Sequence, residues 1–306
     1  MADGLDLAEL LVPAALIVAG TILSWFCEQH PSLLPVWAPW DFSWLEFLVT
    51  ALAVWWYGRG LLLTHPLARP SPWRRFFFLT GVLAIYAVLQ TRFEYLTQHM
   101  FFLNRIQHLV MHHLGPFLIA IAWPGETLRR GMPDPVRRLI DHPALARIVA
   151  VLQQPVLAGT LFVGLIFFWL LPSIHFRAMI DARLYAVMNW SMVVDGLLFW
   201  CLVMDPRPRP PARLSLPGRL ILVLAVQVPQ IAGGAFISFV GRSLYSYYTL
   251  CGRIFPSMDA QMDQQIGGFI IWFLGGMMSA LAALMIVHRL WTEEAMRAAT
   301  CTSVNR

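Results

Sequence analysis

The chain of 306 residues contains no lysine; all 22 of its basic residues are arginine. Charged residues of both signs make up only 13% of it, against 58% hydrophobic, and mean hydropathy is +0.63. A soluble core of this length does not need so much apolar surface, so the composition points to a polytopic membrane protein. The arginines lie in short loops between apolar runs, where membrane topology accounts for them; the pI near 9.3 is therefore no nucleic-acid signal. Cysteine is scarce and scattered. Cys27, Cys201, Cys251 and Cys301 form no CxxC pair, which speaks against a disulfide framework or a zinc site. Each reads as a free apolar thiol, with copper ligation by one of them the alternative. The opening MADGLDLAEL carries Asp3, Asp6 and Glu9 but no basic residue, the wrong flank for a cleaved signal peptide, so the first apolar run is expected to stay. Internal repeats, low-complexity tracts, nucleophile elbow, P-loop, dinucleotide fingerprint and HExxH are all lacking, and no enzyme is expected.

What the chain does have is apolar runs of membrane-crossing length, about 20 residues each. They fall near 10–26, 44–63, 76–89, 96–122, 156–171, 184–204, 220–240 and 266–290. The first and third are short, so the expectation is an all-α bundle of seven or eight transmembrane helices, a single domain over 1–306. Sixteen arginines follow the even-numbered runs and five lie on the other side, with Arg105 left inside the fourth. The positive-inside rule then puts the arginine-rich loops in the cytoplasm.

Polar groups at membrane depth are costly and concentrate where function lies. The fourth run, with QHMFFLNRIQHLVMHHLGP at 98–116, places His99, His108, His112 and His113 within fifteen positions. On a regular helix, Asn104, Met100, Met111, His112, Gly115, Thr97 and Glu94 fall within about 80° of His108, while His99 and His113 lie about 140–180° away. His108 and His112, four residues apart, present two imidazoles on one face, and Met100 and Met111 add thioethers, an N/S set that suits copper, above all Cu(I). The alternative is that these histidines only tie helices together by hydrogen bonds. Asp195 in the sixth run lies at about the depth of His108 and is expected to orient it as a carboxylate partner. Asn189 lies nearer the outside. In the seventh run Pro229 is expected to kink the helix, Gln227 and Gln230 to bond across the bundle, and Gly233 and Gly234 to allow close packing. Before the eighth run, Met258 and Met262 with Asp259 and Asp263 form a candidate outer point of copper uptake; the alternative is interfacial packing and a helix start. His175 is expected in a solvated loop.

The segments EYLTQHMFFLNRIQHLVMHHLGPFLIAIAWP, DGLLFW before a proline-rich loop, and MDQQIGGFIIW resemble the caa3-type CtaG family of cytochrome c oxidase assembly factors, close to its proteobacterial branch, from about Glu94 to His288. The resemblance implies a bacterial inner-membrane protein of seven or eight helices that helps mature a haem–copper oxidase through copper delivery. Its partners would be the lipid bilayer, oxidase subunits and periplasmic copper chaperones. His99, His108, His112, His113 and Pro116 fall on the family's histidine motif, and Asp263, Gln264, Gly267 and Trp272 on its later one. Asn104 stands where the pattern often has another histidine, and the histidines other members carry around Tyr185 and Asn189 are replaced here.

Three functions follow from these residues: transient copper binding for oxidase assembly, b-type haem redox chemistry, or proton- or metal-linked transport. A non-metal scaffold for oxidase subunits is a further alternative. Haem wants histidines on facing helices at matched depth; outside the fourth run His30, His65, His142, His175 and His288 all fall in loops or at helix ends. Transport would suit intramembrane Asp and His with a broken seventh span, but no inverted repeat accompanies them. Copper handling without catalysis is the preferred expectation, with no nucleic-acid partner.

Overall fold

The computed structural model of the protein describes residues 2–304, with side chains described over 11–297. Among the described residues there is no strand beyond one isolated bridge between Pro39 and Thr91, and the all-α expectation holds. The principal helices are α1 (Ala2–Gln29), α2 (Trp44–Leu63), α3 (Pro72–Gln90), α4 (Phe101–His108), α5 (Gly115–Ala122), α6 (Pro155–Leu170), α7 (Ala182–Met204), α8 (Leu216–Phe239), α9 (Ala260–Phe269) and α10 (Gly275–Val304). Their starts are written in the sequence. Ser43, Ser71, Asp181, Ser215 and Asp259 each accept a hydrogen bond from a backbone N–H of the first turn, and Pro72, Pro155 and Pro217 stand in first turns where a missing N–H costs nothing.

Among the described residues five segments are long and apolar enough to cross a membrane: Leu11–Gln29, Pro72–Gln90, Ala182–Met204, Leu216–Phe239 and Ala260–Arg297. A sixth arises if Pro143–Leu152 and α6, bent by 72°, make one span. The expected seven or eight also counted 44–63 and 96–122. The first of these is α2, which contains Glu46 and Arg59. The second is not one regular helix. Its chain breaks at Met100, whose backbone is extended (φ −140, ψ 131), so Arg92–Thr97 is a separate short helix and the buried run starts at Phe101. From there α4 passes into a π-helical turn, Leu109–Leu114, and then into α5. A second π-helical turn, Ile270–Leu274, joins α9 to α10. The irregularity expected at Pro229 does not interrupt α8, which is helical on both sides of it.

Apolar helices gain little from leaving lipid for one another, so packing and hydrogen bonds must hold such a bundle. Between α8 and α9 the backbones nearly touch: a Cβ on Gly234 would lie 2.7 Å from the Trp272 nitrogen, and one on Gly268 2.6 Å from the Ser238 nitrogen. Around them an aromatic core stacks Phe162 on Phe199 at 3.8 Å and Phe101 on Tyr245 at 4.0 Å.

The arginine-poor end is closed by polar clamps. Asp263, buried, accepts from the Phe101 and Phe102 N–H groups at 2.9 and 2.8 Å and pairs with Arg253, so a carboxylate from α9 caps α4 across the bundle. Gln264 donates to the carbonyls of Ile237 and Arg242 and accepts from the Leu244 N–H. His175, expected in solvent, is instead buried in the short helix Pro172–Ile180. It bonds the Tyr248 hydroxyl at 2.9 Å and the Trp169 carbonyl at 3.2 Å. Burial, with Arg105 adding repulsion, pushes its imidazole down to about 3.

Two outcomes follow. Gly268→Val should cost about 1–3 kcal/mol by overpacking, whereas Gly164→Ala, where a Cβ meets nothing within 4 Å, should be near neutral; denaturant unfolding in micelles compares them. Because the folded His175 binds its proton more weakly than the unfolded one, stability should fall as pH drops from 6.5 toward about 3. His175→Phe should flatten that fall in thermal melts.

Candidate functional site

The π-helical turn Leu109–Leu114 has a local cause. Pro116 stands four residues beyond His112 and has no N–H to return to the His112 carbonyl, while its ring crowds that carbonyl. The turn widens, and the Gly115 N–H bonds the Val110 carbonyl five residues back. The displaced His112 carbonyl is taken by α7, where the Trp200 indole N–H donates to it at 3.2 Å. Gly196 makes room for this, since a Cβ there would lie 2.4 Å from the same carbonyl oxygen. Asp195 then meets the His112 ring, with Oδ2 3.0 Å from Nε2. The expected carboxylate partner is thus real, but it orients His112 and not His108, because the π turn and the close approach at Gly196 bring the later histidine to α7.

The second π turn repeats the pattern. The Gly275 N–H bonds the Ile270 carbonyl, and the Ile271 carbonyl so released accepts from the Gln230 amide of α8 at 3.0 Å. The same amide lies 3.4 Å from His113 Nε2. Gln227 reaches the Gly276 carbonyl at 3.4 Å, so both glutamines bond across the bundle as expected. π turns of this kind recur at functional sites, where they re-aim side chains.

Between the two turns lies a cavity of about 30 Å³, enough for a single ion or water. His108, His112 and His113 share its wall with Arg105, Met192 and Gln230. On a regular helix His113 would point away; the wider π turn carries it round to join the other two. Four buried imidazole nitrogens have no hydrogen-bond partner: both of His108, and Nδ1 of His112 and of His113. Since a carboxylate can only accept, His112 Nε2 carries the proton toward Asp195, leaving the Nδ1 lone pair of the neutral ring free.

The other expected residues lie elsewhere. His99 sits at the helix break, its Nδ1 3.0 Å from the Gly252 carbonyl oxygen. Met100 stands at the N-cap position of α4 without a side-chain cap bond, and Met111 packs in the apolar core; neither lines the cavity, whose lining methionine is Met192. Asn104 accepts from Arg105 and donates to Gln107 Oε1 at 3.4 Å. Of the outer cluster, Asp259 caps α9 by accepting from the Met262 N–H at 2.7 Å and Asp263 caps α4; Met262 is exposed and Met258 half-buried. Asp259 thus marks a helix start, while Asp263 serves the start of a different helix, α4. Among the described residues no three His, Cys, Asp or Glu side chains converge as direct ligands of one ion.

Sequence reasoning passed over Met192, Trp200 and Gly196. A signal was available for two of them, since Asp195, Gly196 and Trp200 belong to the single stretch DGLLFW and all three serve His112. Trp200→Phe should leave the His112 carbonyl buried without a donor and cost about 1–3 kcal/mol, read by denaturant unfolding in micelles.

A comparison with curated proteins and one with solved structures each give no match. The family model described as cytochrome c oxidase caa3 assembly factor (Caa3_CtaG) matches residues 53–293, a stretch that holds both π turns, the three cavity histidines and Asp195. The chain belongs to the caa3 cytochrome c oxidase assembly factor family.

Proposed function

We propose that the protein serves oxidase assembly by holding one Cu(I) ion transiently between His108 and His112 and passing it toward a haem–copper oxidase subunit. The observation that carries this reading is the set of four buried, unpartnered imidazole nitrogens around a cavity of single-ion size. A buried lone pair with no partner costs about 1–3 kcal/mol, and an ion that accepts nitrogen ligands would recover it. His112 would offer Nδ1, with Asp195 fixing its tautomer from the far side of the ring, a common arrangement behind metal-bound imidazoles.

Charge and softness favour Cu(I) over zinc or Cu(II). Arg105 is on the same wall, while the carboxylate that meets the site, Asp195, is bonded to His112, so a singly charged ion meets less repulsion than a divalent one. The thioether of Met192 supplies soft sulfur, which Met100 and Met111 do not. Two or three ligands suit a carrier that must release its cargo. In this reading the site faces the arginine-poor, outer side of a bacterial inner membrane, where copper chaperones and the oxidase copper centres would be its partners.

Copper content of the purified full-length protein tests this, alongside oxidase activity in a deletion strain. Stoichiometric copper should be retained by the wild type and lost from His108→Ala/His112→Ala, with oxidase activity lost in parallel. Asp195→Asn should weaken copper retention by about 10–100-fold. A protein that binds no copper yet whose loss abolishes the oxidase would instead be a scaffold.

A further inference from the structure

A second cavity, of about 530 Å³, opens at the arginine-poor end between the start of α2, the helix Arg92–Thr97 and the start of α7. Asp41, Glu46 and Glu94 line it together with Tyr185 and Asn189. Among the described residues no ion pair engages any of these acids. Arg92, close by in sequence, is turned away to the carbonyls of Pro31 and Leu34 and over the Trp40 ring at 4.8 Å. Burial, with Glu46 and Asp41 adding repulsion, pushes the Glu94 carboxyl up to about 9. Three carboxyl groups are thus crowded here without a counter-charge from the protein, and they would ionise together only beside a cation.

Asn189 supplies an independent observation. Its side chain is 1% exposed and lines the cavity, and its Oδ1 has no hydrogen-bond partner. An amide oxygen can only accept. Three crowded carboxyl groups, whose ionised forms need a counter-charge, and a buried carbonyl oxygen that needs a donor are met together by a cation with its bound waters.

We propose that this cavity binds a hydrated divalent cation of the hard, oxygen-seeking class, with Asp41, Glu46 and Glu94 balancing its charge and Asn189 Oδ1 accepting from its water shell. The volume holds many waters, at about 30 Å³ each, and the acids do not converge as direct ligands. An ion that keeps its waters, as magnesium-like ions do, fits both facts. The site sits at one end of a polar chain. The Tyr185 hydroxyl lies 3.3 Å from Thr97 Oγ1 and donates to Gln107 at 3.1 Å; Gln107 accepts from Asn104, whose own oxygen takes Arg105 on the wall of the histidine cavity. If the copper reading holds, this cavity is the outer mouth of that site, but its affinity for a hard ion does not depend on it.

Mn²⁺ is a suitable probe, because it seeks oxygen and leaves imidazole–thioether sites to softer ions. Full-length protein in micelles would be titrated with Mn²⁺, with the free-ion electron paramagnetic resonance signal as readout. The wild type should bind saturably. Glu46→Gln/Glu94→Gln should weaken binding by about tenfold or more, and Asn189→Asp, which adds a carboxylate, should tighten it. His108→Ala/His112→Ala should leave Mn²⁺ binding unchanged even where copper retention is lost, so the two sites fail separately. Absence of saturable binding in the wild type, or one affinity shared by wild type, Glu46→Gln/Glu94→Gln and Asn189→Asp, would overturn the proposal.

Discussion

The site depends on one backbone carbonyl. In an apolar bundle every buried polar group of the main chain needs a partner from within the protein. Pro116 cannot give one to the His112 carbonyl, and the Trp200 indole on the neighbouring helix does. From that exchange follow the widened turn, the rotation of His113 into the cavity, the close approach at Gly196 and the meeting of His112 with Asp195. The counterpart in the last membrane helix obeys the same constraint, with Gln230 serving the Ile271 carbonyl. Two defects in two helices, each repaired from the side, face one another across a space the size of an ion.

The same economy of polar groups organises the arginine-poor end. Asp263 spends its carboxylate on two backbone N–H groups of another helix and on Arg253, and Gln264 satisfies the Ile237 carbonyl in the last turn of α8 and two backbone groups of the segment after it. These contacts fix where α4 begins and therefore how deep its histidines lie. In the run MDAQMD both acids accept from backbone N–H groups at helix starts. Among the described residues Asp41, Glu46 and Glu94, which share the second cavity, have no ion-pair partner.

The all-α membrane architecture and the concentration of histidines in the fourth apolar run were legible because each rests on local rules: apolar length and the intolerance of polar groups in lipid. The pairing of glutamines across the bundle was legible for the same reason. The placement of His113, the pairing of Asp195 with His112 and the burial of His175 were not. Helical phase assumes 3.6 residues per turn, and a π turn breaks that assumption just where the histidines sit. Pro116 and its missing N–H were visible throughout, but a proline after a helical run signals equally a kink, a break or a widened turn until the neighbouring helix is known.

The sequence alone therefore determined that this is a helical membrane protein, which family it resembles, and that its intramembrane histidines cluster in the fourth apolar run. Only the tertiary structure decided which nitrogens of those histidines are left without partners, that Met192 and not Met100 or Met111 stands beside them, and that Asp263 is a cap. The reason is physical: composition and periodicity fix what each residue wants, but a hydrogen bond is satisfied or not by an atom that arrives from another helix.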